Sequence, residues 1–148
     1  MPSDATSILR IDPIKNEAIT FGKVSKSINK WQGGVLSMVD KCVYAVPADM
    51  DCVLRIQTDP DKDLAIDLVG NNFQDIDDKW QGGFNAIDGK IYAIPVSSSF
   101  DIQPKNSFLF VLFLMIHFYN NEYYSLQENI NNVMVITPGD NPTVEMLY

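Results

Sequence analysis

Outside residues 96–127, the apolar positions of this chain fall into short runs rich in Val, Ile, Leu and Tyr, bounded by Gly, Pro, Asn and Asp. That is strand chemistry: branched and aromatic side chains fit a pleated surface, and the bounding residues adopt the backbone angles of turns. No 3.6-residue apolar stripe runs through this part of the chain, so no helix is expected there. The clearest stretch predicts four strands at 34–38, 42–46, 53–57 and 64–68, joined by connections at 39–41, 47–52 and 58–63. Short loops join antiparallel neighbours, so the four strands form a meander.

The pattern repeats. Lys30-Trp31-Gln32-Gly33-Gly34 returns 49 residues later as Lys79-Trp80-Gln81-Gly82-Gly83, and Val43-Tyr44-Ala45-Val46-Pro47 returns 48 residues later as Ile91-Tyr92-Ala93-Ile94-Pro95. A third element, Ile8-Leu9-Arg10-Ile11, returns as Val53-Leu54-Arg55-Ile56 after 45 residues, and then as Val133-Met134-Val135-Ile136 after a further 80. The last spacing is too long by 32 residues, the length of 96–127. With that segment set aside, Pro95 leads directly into Glu128 and the register is restored.

Residues 96–127 differ in composition from the repeat. The apolar run at 108–119 is about 12 residues, where a membrane-spanning helix needs about 20. The segment opens on Val, whose codons begin with GT, and closes on Gln, one of whose codons ends in AG. These are the ends of an intron, and Phe, Leu, Ile, Tyr and Asn are what AT-rich sequence yields on translation. The expectation is a retained intron or a mistaken gene boundary rather than an evolved insertion.

A repeat of about 48 residues carrying four strands has the size of a β-propeller blade, whereas the strands of a β-sandwich would not repeat in sequence. The predicted fold is all-β: a partial β-propeller of about two to two and a half four-stranded antiparallel blades. Residues 8–21 make a half blade, 31–69 a full one, and 80–95 with 132–148 a blade interrupted by the foreign segment. Closed propellers need about 4 to 8 blades. The chain is therefore expected to be a fragment of a longer propeller, or to self-associate.

The run Asp88-Gly89-Lys90-Ile91-Tyr92-Ala93-Ile94-Pro95, followed by the Val-Leu-Arg-Ile strand, resembles the second and third strands of kelch-type and quinoprotein-type propeller repeats. The likeness covers nearly all of the chain outside the insertion. It departs from kelch in one respect: the kelch glycine pair follows the second strand, where this chain has Pro47 and Pro95, and here the pair Gly33-Gly34 opens the first strand. The resemblance implies a non-catalytic module that binds a protein or peptide. The alternative is a piece of a propeller enzyme or carbohydrate-binding propeller whose active groups lie in other blades.

Charge and composition narrow the partners. A net charge of −8 and a pI near 4.4 argue against nucleic acid and anionic membrane surfaces, which are bound through clustered Lys and Arg. The opening residues, MPSDATSILR, lack a basic stretch followed by an apolar one, so a cytoplasmic chain is expected. Cys42 and Cys52 fall at opposite ends of one predicted hairpin, which makes a disulfide between them improbable and fits a reducing compartment.

Candidate site residues are few. The sole histidine, His117, lies in the foreign run, so the repeat offers no Ser-His-Asp, Cys-His or histidine-based metal site. Asp59-Pro60-Asp61-Lys62-Asp63 has the spacing that opens a calcium loop, but Leu64 and Gly70 stand where the turn glycine and the bidentate Glu belong, so a solvated turn is expected. Asp75, Asp77 and Asp78 could meet a cation or a basic peptide, or form only a soluble loop. Trp31 and Trp80 are candidate stacking platforms for a sugar or peptide, with blade packing the simpler reading. Gly33, Gly34, Gly82 and Gly83 could admit a ligand to the first-strand backbone, or allow close packing of narrow inner strands. Tyr44 and Tyr92 are expected in the core with their hydroxyls bonded. No metal or cofactor is expected.

Overall fold

The structure, a computed structural model, describes residues 1–70, 73, 78–95 and 133–147. The readings of 96–127, of His117 and of Asp75 and Asp77 fall outside the described residues. Among the described residues every regular element is a strand, and no helix is long and apolar enough to cross a membrane.

Among the described residues, ten strands form three antiparallel sheets. The first sheet pairs β1 (Ile8–Asp12) with β2 (Glu17–Phe21). The second runs in chain order through β3 (Trp31–Leu36), β4 (Cys42–Pro47), β5 (Val53–Gln57) and β6 (Ile66–Val69). The third likewise runs through β7 (Trp80–Asn85), β8 (Ile91–Pro95), β9 (Val133–Thr137) and β10 (Thr143–Leu147). Tyr92 pairs with Val135 as Tyr44 pairs with Arg55, so β8 and β9 are ladder neighbours across the long intervening segment.

Two strands lie differently from the sequence expectation. The first strand of the repeat occupies 31–36 rather than 34–38, because a bulge between Trp31 and Gly34 carries the ladder back to a Trp31–Pro47 pair. The Ser37 amide donates to the Cys42 carbonyl (2.8 Å) and closes the hairpin there, leaving Met38 in the turn. The fourth strand begins at Ile66 rather than Leu64, after the Gln57 amide donates to the Ala65 carbonyl.

The sheets stack face to face. Val35, Tyr44, Val46 and Val53 of the second sheet pack against Trp80, Ile91, Ala93, Met134 and Ile136 of the third. On the opposite face of the second sheet, Ala45, Leu54 and Ile56 pack with Trp31 against Ile8 of the first. Covered on both faces, β4 is a continuous apolar run rather than an alternating one.

The same hydrogen bonds tie each sheet to the next. Asp4 accepts from the Asn29 amide, and Asp49 accepts from the Asp78 amide, both at 2.8 Å. The Lys30 amide donates to the Ser3 carbonyl as the Lys79 amide donates to that of Ala48, and Val24 bonds Thr6 as Phe73 bonds Asp51. Donors are 49 residues apart and acceptors 45, so the sequence repeat is also a repeat of contacts between sheets. Asn29 adds a cross-link, donating through Nδ2 to Asp49 (2.9 Å) and Asp78 (3.1 Å).

Candidate functional site

Of the six residues singled out in the sequence, Trp31, Trp80, Gly33 and Gly82 lie where the sheets meet, and Gly34 and Gly83 follow in the same strands. Trp31 is 1% exposed, and its Nε1 donates to the Cys52 carbonyl at 2.9 Å. Trp80 is also buried, edge-on to Phe73 with ring centroids 5.2 Å apart. Gly33 (φ 73°) and Gly82 (φ 81°) sit in the bulges of β3 and β7, in left-handed backbone that a side chain strains. A Cβ on Gly33 would lie 2.8 Å from the Gly82 Cα, whereas one on Gly82 would meet nothing within 4 Å. A Cβ on Gly34 would press on the Met1 side chain, and one on Gly83 on the Tyr92 carbonyl. The first strands of two successive sheets thus touch backbone to backbone.

At the other end of these strands lies a surface that sequence reasoning missed. The β3–β4 turn is built by its own side chains: Ser37 Oγ accepts from the Val39 amide (3.1 Å) and Asp40 Oδ1 from the Cys42 amide (3.2 Å). Lys41 takes a positive φ of 57°. The β7–β8 turn repeats this, with Asp88 Oδ1 accepting from the Lys90 amide (3.0 Å) and Gly89 at φ 79°. A tyrosine locks each aspartate in place. Tyr44 donates to Asp40 (2.8 Å) and Tyr92 to Asp88 (2.9 Å), so both buried rings have bonded hydroxyls.

Asp40 carries more. Arg55 Nη2 donates to it at 3.2 Å and also to the Gly139 carbonyl, in the β9–β10 connection of the next sheet, at 3.3 Å. Burial alone would raise the Asp40 carboxyl, but the bonds from Tyr44, the Cys42 amide, Ser37 and Arg55 outweigh it and hold the group below its ordinary range. Burial first, and the Asp40 bond second, push the Tyr44 hydroxyl well above its usual value. Neither group is poised to exchange a proton near neutral pH.

With the aspartates committed inward, the remaining turn side chains point to water. Met38 is 79% exposed, Ile87 65%, Val39 58% and Leu36 50%. The two hairpins that carry them adjoin: Val39 lies against Gly89 of the neighbouring turn, and Asn85 Nδ2 donates to the Leu36 carbonyl at 2.8 Å. Thr58 bonds the Lys41 carbonyl, which brings the acidic 58–63 loop to the same end. There Asp59 accepts from the amides of Asp61, through its side chain, and Lys62, through its carbonyl. Scattered exposed apolar residues are ordinary on a protein surface, but four at one end of two adjoining hairpins, beside an acidic loop, make a candidate binding face. The signal was present in the sequence, as Met38-Val39 and Ile87 at turn positions that normally carry polar residues.

Among the described residues, no group of three or more His, Cys, Asp or Glu side chains could hold a metal ion. Comparison with protein-family profiles, curated proteins and solved structures finds no match to this chain.

Proposed function

We propose that this chain is a segment of a kelch-like β-propeller, a non-catalytic scaffold that binds a protein or peptide across the turn end of its sheets. The exposed Leu36, Met38, Val39 and Ile87 at the turn end of two adjoining hairpins carry this reading. Its occupant is an extended segment with apolar side chains to cover this set, flanked by basic residues that meet the acidic 58–63 loop and the overall charge of −8. The propeller reading is supported by the recurrence of one bond set between successive sheets and by the close approach of their first strands. The non-catalytic reading is supported by Asp40, Tyr44, Arg55, Asp88 and Tyr92, whose polar atoms hold turns and neighbouring sheets.

A face of four apolar side chains is small for a protein interface, so the affinity is expected to be modest, in the micromolar range of roughly 8 kcal/mol. Selection from a random displayed-peptide library against the intact chain tests it. Peptides combining apolar and basic residues should be enriched, and the Met38→Glu/Ile87→Glu variant, altered only at exposed positions, should lose them while keeping the wild-type circular dichroism spectrum. Peptides retained equally by that variant would place recognition elsewhere and refute the assignment.

A further inference from the structure

The same strand meets different fates in the first and second sheets. In β5, Leu54 and Ile56 are 0% and 4% exposed, and Arg55 lies between the carboxylates of Asp40 and Asp67. In β1, the equivalent Leu9 and Ile11 are 59% and 66% exposed. Arg10, equivalent to Arg55, has only a 4.0 Å approach to Asp12, and its side chain is 46% exposed against 13% for Arg55. Among the described residues β1 pairs with β2 alone, so the edge on which β5 receives β4 is open.

The second and third sheets show what fits such an edge. On β5, Ala45 lies opposite Leu54, Tyr44 opposite Arg55 and Val43 opposite Ile56; Asp40, in the turn before that strand, meets the arginine. On β9 the same strand type recurs, with Ala93 opposite Met134, Tyr92 opposite Val135 and Ile91 opposite Ile136. Both insertions are the second arm of a hairpin that begins Trp-Gln-Gly-Gly. That occupant would bring an aspartate to Arg10, and its ladder would extend the apolar face that Leu9 and Ile11 now end.

We infer that the open edge of β1 is a docking site for a β-hairpin of this same repeat, a Trp-Gln-Gly-Gly arm followed by an Asp-containing turn and an (Ile/Val)-Tyr-Ala-(Ile/Val)-Pro arm. The inference rests on the equivalence of β1, β5 and β9 and is independent of peptide binding at the turn end. The hairpin adds the two strands that the first sheet lacks relative to the other two.

The intact chain, isotopically labelled, and a synthetic peptide with the sequence of residues 79–95 provide the test, read by amide hydrogen exchange. The peptide should slow exchange of the β1 amides that β2 leaves unbonded by about tenfold or more. The Leu9→Asp/Ile11→Asp variant, altered only at exposed positions, should bind it about tenfold more weakly, as expected for losing two cross-strand aliphatic pairs equivalent to Ala45–Leu54 and Val43–Ile56. A peptide carrying Asp88→Asn should bind more weakly to wild type but not to an Arg10→Ala chain. Three results would each overturn the inference: no binding at about millimolar peptide, protection confined to β5 or β9, or equal binding by the double variant. Self-association of the chain that covers Leu9 and Ile11 while leaving the β1 edge amides unprotected would also overturn it, by making a second folded copy the occupant.

Discussion

Deleting residues 96–127 tests both the repeat and the sheet it interrupts. In the second sheet, the five residues 48–52 carry the chain from Pro47 at the end of β4 to Val53 at the start of β5. In the third sheet, 37 residues, 96–132, separate Pro95 from Val133, yet β8 and β9 are paired in the same register. The deletion leaves 128–132, again five residues, so the junction can form a connection of proven length. Shortening a closed loop from 37 to five residues lowers its closure entropy cost by (3/2)RT ln(37/5), about 1.8 kcal/mol in favour of the deleted chain. For a domain of this size that corresponds to a rise in Tm of about 5 °C or more. The assay is urea unfolding followed by circular dichroism, with the native spectrum scored for β content per residue. A deleted chain that is more stable and richer in β structure is the expected outcome. A less stable one, or one that loses the β signal, would mean that 96–127 contributes to the fold and that the five-residue equivalence is a coincidence. At the level of RNA, reads joining the Pro95 codon to the Glu128 codon are expected, and continuous coverage without that junction refutes the intron reading.

Three further measurements probe the packing. Gly82→Ala should cost about 1–2 kcal/mol for its left-handed backbone, and Gly33→Ala at least about 1 kcal/mol more, because only its new methyl meets the neighbouring first strand; equal costs would deny the backbone contact between sheets. Asp40 is held below its ordinary value, so its contribution is present above its unfolded pKa of about 4 and lost as pH falls through the lower folded value. Asp40→Asn should therefore be less stable by about 1–3 kcal/mol at pH 7 and lose stability less steeply in acid, as read from urea midpoints across pH; parallel acid limbs would contradict this. Burial, and secondarily the Asp51 charge, push the Cys52 thiol up to about 11, and burial with Asp40 raises that of Cys42. Both thiols are free and buried, so neither should react with a disulfide reagent at pH 8 until denaturant is added, and fast labelling of either in the native chain would show that its packing is wrong.

The sequence alone determined that the chain is all-β, where most of its strands lie, and which of them are equivalent, because strand propensity and a repeated pattern are local properties that a single line of residues carries. Val43 to Pro47 and Ile91 to Pro95 reveal themselves by composition and by recurring 48 residues apart. Only the tertiary structure decided what the repeated residues do. The bulge at Gly33 moved the first strand of the second sheet two or three residues from where the apolar pattern put it, since a register shift depends on the partner strand. In the sequence Trp31 and Trp80 are candidate platforms with packing the simpler reading, and the facing sheets bury both. Met38, Val39 and Ile87 looked like strand ends or turn residues of no consequence. They come to one end of the sheets because two hairpins 48 residues apart are brought side by side, and the aspartate–tyrosine bonds turn the polar atoms of both turns inward. Leu9 and Leu54 are the same residue at the same place in the repeat, and nothing in the residues themselves distinguishes them. One is buried and one exposed because burial belongs to the neighbouring strand and sheet: Leu54 packs against Ile8 of the first sheet and lies beside β4, whereas among the described residues β1 pairs with β2 alone.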